Sequence, residues 1–203
     1  MNVTRCSRVT QAVLIALLVG WTTNGLALGS KLHTIEYDVI SAAINHGAGS
    51  DSGKIVIDDT TTGASVDIYD PAQSHEALVV ELGTTATALR EWSRLNNRRY
   101  TLQSNINTAS AHELLSQQSR AAVFNNSDPG KNWQQFNAKF PGSTGILRIS
   151  RPGIDDTAKT ALIYMEFECG TQCGSGRLVN LVQRPSGNWN VVSATLLWIT
   201  SPE

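Results

Sequence analysis

The sequence predicts a single α+β domain in which N-terminal helices pack on a C-terminal four-stranded antiparallel meander sheet. Three observations predict this fold class. In the first half of the chain, apolar residues recur at three- and four-residue spacing, which is typical of amphipathic helices. After residue 141, short apolar runs alternate with Gly, Pro and Asp clusters, which is typical of strands joined by turns. Helices followed by consecutive strands favour a layer of helices on one face of the sheet.

The first 29 residues have the layout of a secretory signal peptide. Arg5 and Arg8 precede an uncharged apolar run at residues 12–21, and polar residues follow it. The run is about half of the ~20 residues that a membrane-spanning helix needs, so a permanent membrane anchor is not expected. We therefore expect cleavage at the end of this leader, a mature single domain at residues 30–203, and a periplasmic or secreted location.

The charge of the mature chain excludes some partners. Loss of Arg5 and Arg8 leaves 14 of the 16 basic residues against 17 acidic ones, a formal charge of −3. A strongly basic surface, which nucleic acids and anionic lipids require, is therefore not expected. About 174 residues remain, which suits one domain with a sizeable core.

The first half of the chain contains one predicted strand among the helices. Residues 54–58 are short, β-branched and bounded by polar residues, so they predict a strand. Residues 59–74 are rich in turn-forming residues and predict a long loop. The predicted helices span residues 35–45, 84–97, 110–124 and 133–140.

Four strands are predicted in the second half. Turns are expected at residues 152–156 and 185–188. Trp189 and Trp198 are nine positions apart in the last strand, so alternation puts them on opposite faces. The strands span residues 146–150, 160–168, 177–184 and 189–199. In the second of these, alternation assigns Ala161, Ile163, Met165 and Phe167 to one face and Leu162, Tyr164, Glu166 and Glu168 to the other.

Cys169 and Cys173 lie between two predicted strands, at the tip of a hairpin. In an exported protein, neighbouring thiols usually form a disulfide, and Cys6 leaves with the leader. Closing this short loop would stabilise the fold by about 2 kcal/mol on the chain-entropy estimate. We expect the nearby glycines, Gly174 and Gly176 among them, to let the backbone turn. A redox-active pair and a metal site are the alternatives, although the spacing favours neither.

Four charged residues on two adjacent predicted strands form a candidate binding site. Arg148 and Arg151 belong to the first strand and its end, and Glu166 and Glu168 belong to the next. Charges facing each other across strands can line an open sheet face and bind an anion. The alternative is a set of exposed ion pairs, each worth less than about 1 kcal/mol.

No sequence motif predicts a catalytic residue, a metal site or a cofactor. His112 and Glu113 begin like the zinc-protease motif His-Glu-x-x-His, but Ser116 occupies the position of the second histidine. Asp58 and Asp59 stand beside three threonines, yet calcium loops need alternating oxygen ligands around a glycine. Solvation of a strand end is the expected role of these two carboxylates.

Several motifs occur together in the last part of the chain. They are Phe-x-x-x-Phe-Pro-Gly from residue 136, Ser-Arg-x-Gly from residue 150, Cys-Gly-x-x-Cys-Gly-x-Gly from residue 169, and the pair Trp189 and Trp198. In this combination, over about residues 132–201, the chain resembles a family of uncharacterised exported bacterial proteins. The resemblance implies export and implies no particular activity.

The sequence thus favours a non-enzymatic periplasmic or secreted binding module. The alternative is a periplasmic enzyme, either a hydrolase or a thiol-disulfide oxidoreductase, whose site assembles only in three dimensions. A cleft that joins Arg151, a carboxylate and a histidine would favour the enzyme.

Overall fold

The computed structural model describes residues 31–47, 53–63 and 75–200. The expected leader and most of the expected loop at 59–74 lie outside these ranges. The described chain combines helices and strands as an α+β fold. The helices are α1 (Thr34–Gly47), α2 (His75–Leu82), α3 (Ala86–Leu95), α4 (Gln117–Val123) and α5 (Pro129–Lys139). The strands are β1 (Lys54–Asp58), β2 (His112–Leu115), β3 (Ser143–Ile149), β4 (Gly153–Asp155), β5 (Thr160–Gly170), β6 (Cys173–Gln183) and β7 (Trp189–Thr200).

The strands form one mixed seven-stranded sheet in the order β2-β1-β3-β5-β6-β7, with β4 paired to β5 off this path. β1 is parallel to β2 and to β3, whereas β3, β5, β6 and β7 pair antiparallel. The prediction of a four-stranded antiparallel meander is therefore wrong. The four predicted strands exist, but β1 and β2 extend the sheet through parallel pairing. Parallel strands need long crossover connections, which a pattern of adjacent strands does not reveal.

β2 accounts for an error in the predicted helix at residues 110–124. His112–Leu115 pairs with β1, and α4 begins only after Ser116. The Ser116 hydroxyl accepts a hydrogen bond from the Ser119 amide at 3.1 Å, as an N-cap does. Because pairing with the edge of β1 depends on distant residues, the local sequence pattern did not indicate this strand.

Two other elements, α2 and β4, were not predicted. β4 lies within the expected turn at 152–156 and contacts α3 through Gly153. A Cβ atom on Gly153 would overlap the Ala88 carbonyl oxygen and the Trp92 amide nitrogen, so only glycine allows this close approach.

The remaining predicted helices are present with adjusted ends. α1 covers the predicted span, and α3 lies within the predicted range, capped by the Thr85 hydroxyl, which accepts from the Ala88 amide at 3.1 Å. α5 begins at Pro129, four positions before the predicted start. Asp128 caps it by accepting from the Gly130 amide at 2.8 Å.

Helices cover both faces of the sheet, so the prediction of helices on one face is also wrong. α1 packs on what we call the first face, against Ala161 and Ile163 of β5. α2 and α3 pack on the second face, against Leu162 and Tyr164, and α4 and α5 pack on the same face near Ile146. The alternation predicted for these β5 residues is confirmed. The second face of β5 was expected to be half-solvated, but Leu162 and Tyr164 are buried under helices.

β7 contains two β-bulges relative to β6, with Val192 and Leu197 as the extra residues. One extra residue reverses the side-chain alternation relative to the partner strand, and a second one restores it. Trp189 is buried in the core of the first face, and Trp198 lies on the second face, beside Tyr164. The predicted placement on opposite faces is confirmed.

Candidate functional site

A row of paired residues crosses the second face between its two groups of helices. Arg148 on β3 pairs with Glu166 on β5, Glu166 pairs with Gly176 on β6, and Gly176 pairs with Trp198 on β7. Glu168 lies two residues beyond Glu166 and therefore faces the same way. Three of the four residues predicted as a binding site thus lie together on this face.

Ion pairs connect this row to β1 and α4. Arg148 Nη1 lies 2.7 Å from Glu166 Oε1, and Arg120 Nη1 lies 2.9 Å from Asp58 Oδ2. The Glu168 carboxylate is farther from both guanidinium groups, at 3.6 Å from Arg148 Nη1 and 3.8 Å from Arg120 Nη2. The network therefore contains three carboxylates and two guanidinium groups, and Glu168 is the carboxylate with the longest pairings.

Burial raises the pKa of three groups in and beside the network. It raises the pKa of Asp58, despite the opposing charges of Arg120 and Arg148. Burial, together with a hydrogen bond to the Glu166 carboxyl, also raises the pKa of Glu168. The pKa of Tyr164 is raised to about 12, mainly by burial, so its hydroxyl stays protonated and can donate to Glu166 Oε2 at 3.3 Å.

Trp198 lies over β6 because two glycines leave room for it. Its indole Nε1 donates to the Tyr164 hydroxyl at 2.8 Å. A Cβ atom on Gly176 would overlap both of these groups, and one on Gly174 would lie 3.2 Å from the indole ring. Neither glycine has a positive φ angle, so neither is needed to turn the backbone. Their role is to make room for the indole ring.

A cleft of about 350 Å³ opens beside this network. Trp198 and the end of the β5–β6 hairpin form one wall, and α4 and α5 form the other with Phe124 and Trp133. The rings of Phe124 and Trp133 meet edge to face, with centroids 5.5 Å apart. Arg120 and Glu168 line the cleft as well, and the Glu168 side chain is 30% exposed. The cleft thus joins aromatic walls to one end of the ion-pair network.

The predicted disulfide between Cys169 and Cys173 is confirmed. It closes the tip of the β5–β6 hairpin, and Cys173 and Gly174 line the cleft. The bond therefore restrains the wall of the cleft that faces α4 and α5. Exchange of this bond with other thiols is the alternative hypothesis.

Arg151, the fourth predicted site residue, lies elsewhere. Its Nε is 2.5 Å and its Nη2 3.1 Å from the two carboxylate oxygens of Glu36, on α1 at the first face. Its guanidinium also stacks on the Tyr100 ring, 4.3 Å from the centroid. All three side chains are buried. Arg151 thus anchors α1 to the sheet and does not reach the cleft.

The other residues considered as possible sites from the sequence contact other protein residues in the structure. His112 begins β2, and its Nδ1 lies 2.7 Å from the Thr108 hydroxyl. Asp58 binds Arg120, and the Thr61 hydroxyl accepts a hydrogen bond from the Tyr100 amide at 2.9 Å. The described residues include no group of three or more His, Cys, Asp and Glu side chains arranged to hold a metal ion. None of the described helices has both the length and the apolar composition needed to cross a membrane.

Three residues of the cleft were not predicted as site residues from the sequence: Arg120, Phe124 and Trp133. One signal was available, since the short connection between two successive helices predicts that they pack against each other. That packing brings Phe124, at the end of α4, against Trp133 in α5. No local pattern indicated that these helices would stand beside the β5–β6 hairpin, because that contact depends on the parallel pairing of β1 with β3.

Comparison of the chain with models of protein families, with curated proteins and with solved structures found no match.

Proposed function

We propose that this protein is an exported, non-enzymatic binding module and that its ligand binds in the cleft between Trp133 and Trp198. The observation that carries this proposal is the cleft itself, which joins aromatic walls to a charged floor. Its volume of about 350 Å³ is at the lower end of the range typical of small-molecule sites. Export is supported by the leader at residues 1–29, by the disulfide, which suits an oxidising compartment, and by the family resemblance.

The walls of the cleft are held before any ligand arrives. Trp198 is fixed by its hydrogen bond to Tyr164, and the hairpin wall is closed by the Cys169–Cys173 bond. Trp133 packs on both Phe124 and Phe136. A preorganised site loses less conformational entropy on binding, so even a small contact area can give useful affinity.

A hydrolase is the rival reading, and one observation favours it. The pKa of Glu168 is raised, a direction that favours a general acid, and Glu168 lines the cleft. Against it, Arg151 forms a buried pair with Glu36, and the described residues that line the cleft include no histidine. The combination expected of an enzyme is therefore not assembled in the cleft.

The proposal is tested with the chain expressed with its own leader and purified in its oxidised form. We expect a small-molecule library screened by ligand-observed NMR to yield binders whose signals change in the presence of the protein. Trp133→Ala should abolish this binding, because it removes one wall. Val80→Ser is the matched control, since Val80 is 81% exposed on α2 and outside the cleft. Binders unaffected by Trp133→Ala, or no binders at all, would refute the proposal.

The same samples test the rival and the location. Conversion of a bound compound, lost in Glu168→Gln, would replace the binding module by a hydrolase. Sequencing of the exported protein should find an N-terminus near residue 30. Recovery of a chain that still begins at Met1, from inside the cell, would contradict export.

A further inference from the structure

The charges at the floor of the cleft do not balance. Arg120 is paired with Asp58 at 2.9 Å, and Arg148 is paired with Glu166 at 2.7 Å. The guanidinium nitrogens nearest to Glu168 belong to these same two arginines and lie farther away, at 3.6 and 3.8 Å. With all five groups ionised, the network carries one excess negative charge, and Glu168 is the carboxylate that reaches the cleft.

Among the described residues that line the cleft, an anionic ligand would find no cation that is free of a carboxylate partner. To bind Arg120 or Arg148, it would have to displace a carboxylate of the protein from a short ion pair and would leave that carboxylate partly buried. Losing one partner of such a pair is costly, because the other charge remains without compensation. The two arginines of the network therefore neutralise carboxylates of the protein itself and are not available to a ligand.

The aromatic walls of the cleft favour a positively charged ligand, as its excess carboxylate does. The faces of Trp133, Trp198 and Phe124 are electron-rich, and such faces attract cations. The site already contains one example, since the Arg120 guanidinium lies over the Phe124 ring at 5.4 Å from the centroid. Aromatic faces and an excess carboxylate both lower the energy of a positive charge in the cleft.

We infer that the ligand of this cleft carries an ammonium or guanidinium group, which pairs with Glu168 while its apolar part packs between Trp133 and Trp198. This inference rests on the proposed function, because it assigns the ligand class of the same cleft. The cation supplies the counter-charge that Glu168 lacks. The raised pKa of Glu168 agrees with this, because a cation bound beside it would favour its ionised form.

The test compares cations with neutral molecules of the same shape. Isothermal titration calorimetry is run with choline against 3,3-dimethylbutanol, and with n-butylguanidinium against n-butylurea. We expect at least one cation to bind about tenfold or more tightly than its neutral counterpart, as one charge-assisted contact provides. The pair with the larger ratio identifies a quaternary ammonium or a guanidinium as the preferred group.

Variants assign the preference to Glu168. Glu168→Gln keeps the shape of the side chain and should reduce the ratio to near one, whereas Glu91→Gln, a surface carboxylate paired with Arg94 on α3, should leave it unchanged. A second measurement, of proton release, uses the wild-type protein alone. Titrations in buffers of different ionisation enthalpy should show proton release on cation binding near the raised pKa of Glu168.

Two outcomes separate this inference from the proposed function. Equal binding of charged and neutral compounds, or a library screen whose cleft ligands are neutral or anionic, overturns the inference and leaves the binding module standing. A screen that finds no compound sensitive to Trp133→Ala overturns both.

Discussion

At the scale of single residues, the absence of a side chain at Gly176 matters as much as the presence of the indole at Trp198. The two are direct partners across β6 and β7, and the ring occupies the space above the glycine. A residue with a Cβ at position 176 would force the ring away and break its hydrogen bond to Tyr164. The shape of one cleft wall thus depends on a residue that contributes no side-chain atom to it.

Gly176→Ala should therefore lower the free energy of unfolding by about 1–3 kcal/mol, the usual cost of overpacking. It should also change the near-ultraviolet circular dichroism of Trp198. Gly170→Ala is the matched control, since a Cβ there would make only an ordinary contact of 3.6 Å with Cys173. Urea unfolding of the three proteins gives the comparison. Equal stability of the two variants would contradict this explanation of Gly176.

Arg151 illustrates a different role of a single residue. Arg151→Met should lower the free energy of unfolding by about 3–5 kcal/mol, because it leaves the buried Glu36 carboxylate without its partner. The double variant Glu36→Gln with Arg151→Met should recover much of this loss. Neither should alter ligand binding at the cleft, provided the protein is folded. A double variant as unstable as the single one would show that the ion pair is not the cause.

At this scale, the sequence predicted which strand a residue belongs to better than it predicted which side chain that residue contacts. The strand pattern correctly placed Arg148, Glu166 and Glu168 in strands, where they lie together on the second face. It could not assign Arg151, because the chain leaves β3 after Ile149 and the side chain then turns to Glu36 on α1. That partner is 115 positions away in the sequence, and no local pattern links the two.

At the scale of elements, the β5–β6 hairpin is the part of the sheet that the sequence predicted best. Its two strands, its antiparallel pairing and its disulfide were all predicted, and all three are confirmed. The reason is that hairpins depend on contacts between residues close in sequence. β2, by contrast, forms through its pairing with β1, whose residues are far away along the chain, and it was predicted as helix.

Replacing Cys169 and Cys173 by serine should lower the free energy of unfolding by about 1–3 kcal/mol, since the bond closes only a short loop. Denaturant unfolding of the oxidised protein and of the double variant measures the difference. Thiol counting on the unfolded protein before reduction should find neither of these two cysteines free.

The control for the redox alternative is a titration with mild dithiols. A structural bond should resist them, whereas a bond that cycles readily at the potentials of cellular oxidoreductases would make the thiol-disulfide oxidoreductase the leading hypothesis.

At the scale of the whole molecule, the ion-pair network lies between the two groups of helices on the second face. The cleft opens at its end, between α4 and α5 on one side and Trp198 with the β5–β6 hairpin on the other. The sequence predicted the α+β class, but it did not predict a mixed sheet covered on both faces. Helical periodicity gave each helix an apolar side and did not specify which face of the sheet that side would cover. The cleft results from this arrangement, so helical periodicity could not predict where it lies.

The raised pKa of Glu168 makes the stability of the whole molecule depend on pH. Where the folded state holds a proton that the unfolded state has lost, stability falls as the pH rises. For Glu168 this window begins at its ordinary value of 4.5 and ends at its raised pKa in the folded protein. Relative to Glu168→Gln, the wild-type protein should therefore lose stability as the pH rises through this window. Thermal melts of both proteins from pH 4 to 8 test this, and parallel curves would contradict it.

The paired bulges of β7 have a consequence for how this strand can change in length during evolution. Val192 and Leu197 are the two residues without a partner position on β6. Loss of either one would close its bulge and leave every remaining pair of the β6–β7 ladder in register. We therefore expect single-residue gaps among relatives of this chain to occur at these two positions, with Trp189 and Trp198 each keeping its partner on β6. In this strand, the irregular positions are the ones where the chain can shorten without rebuilding the sheet.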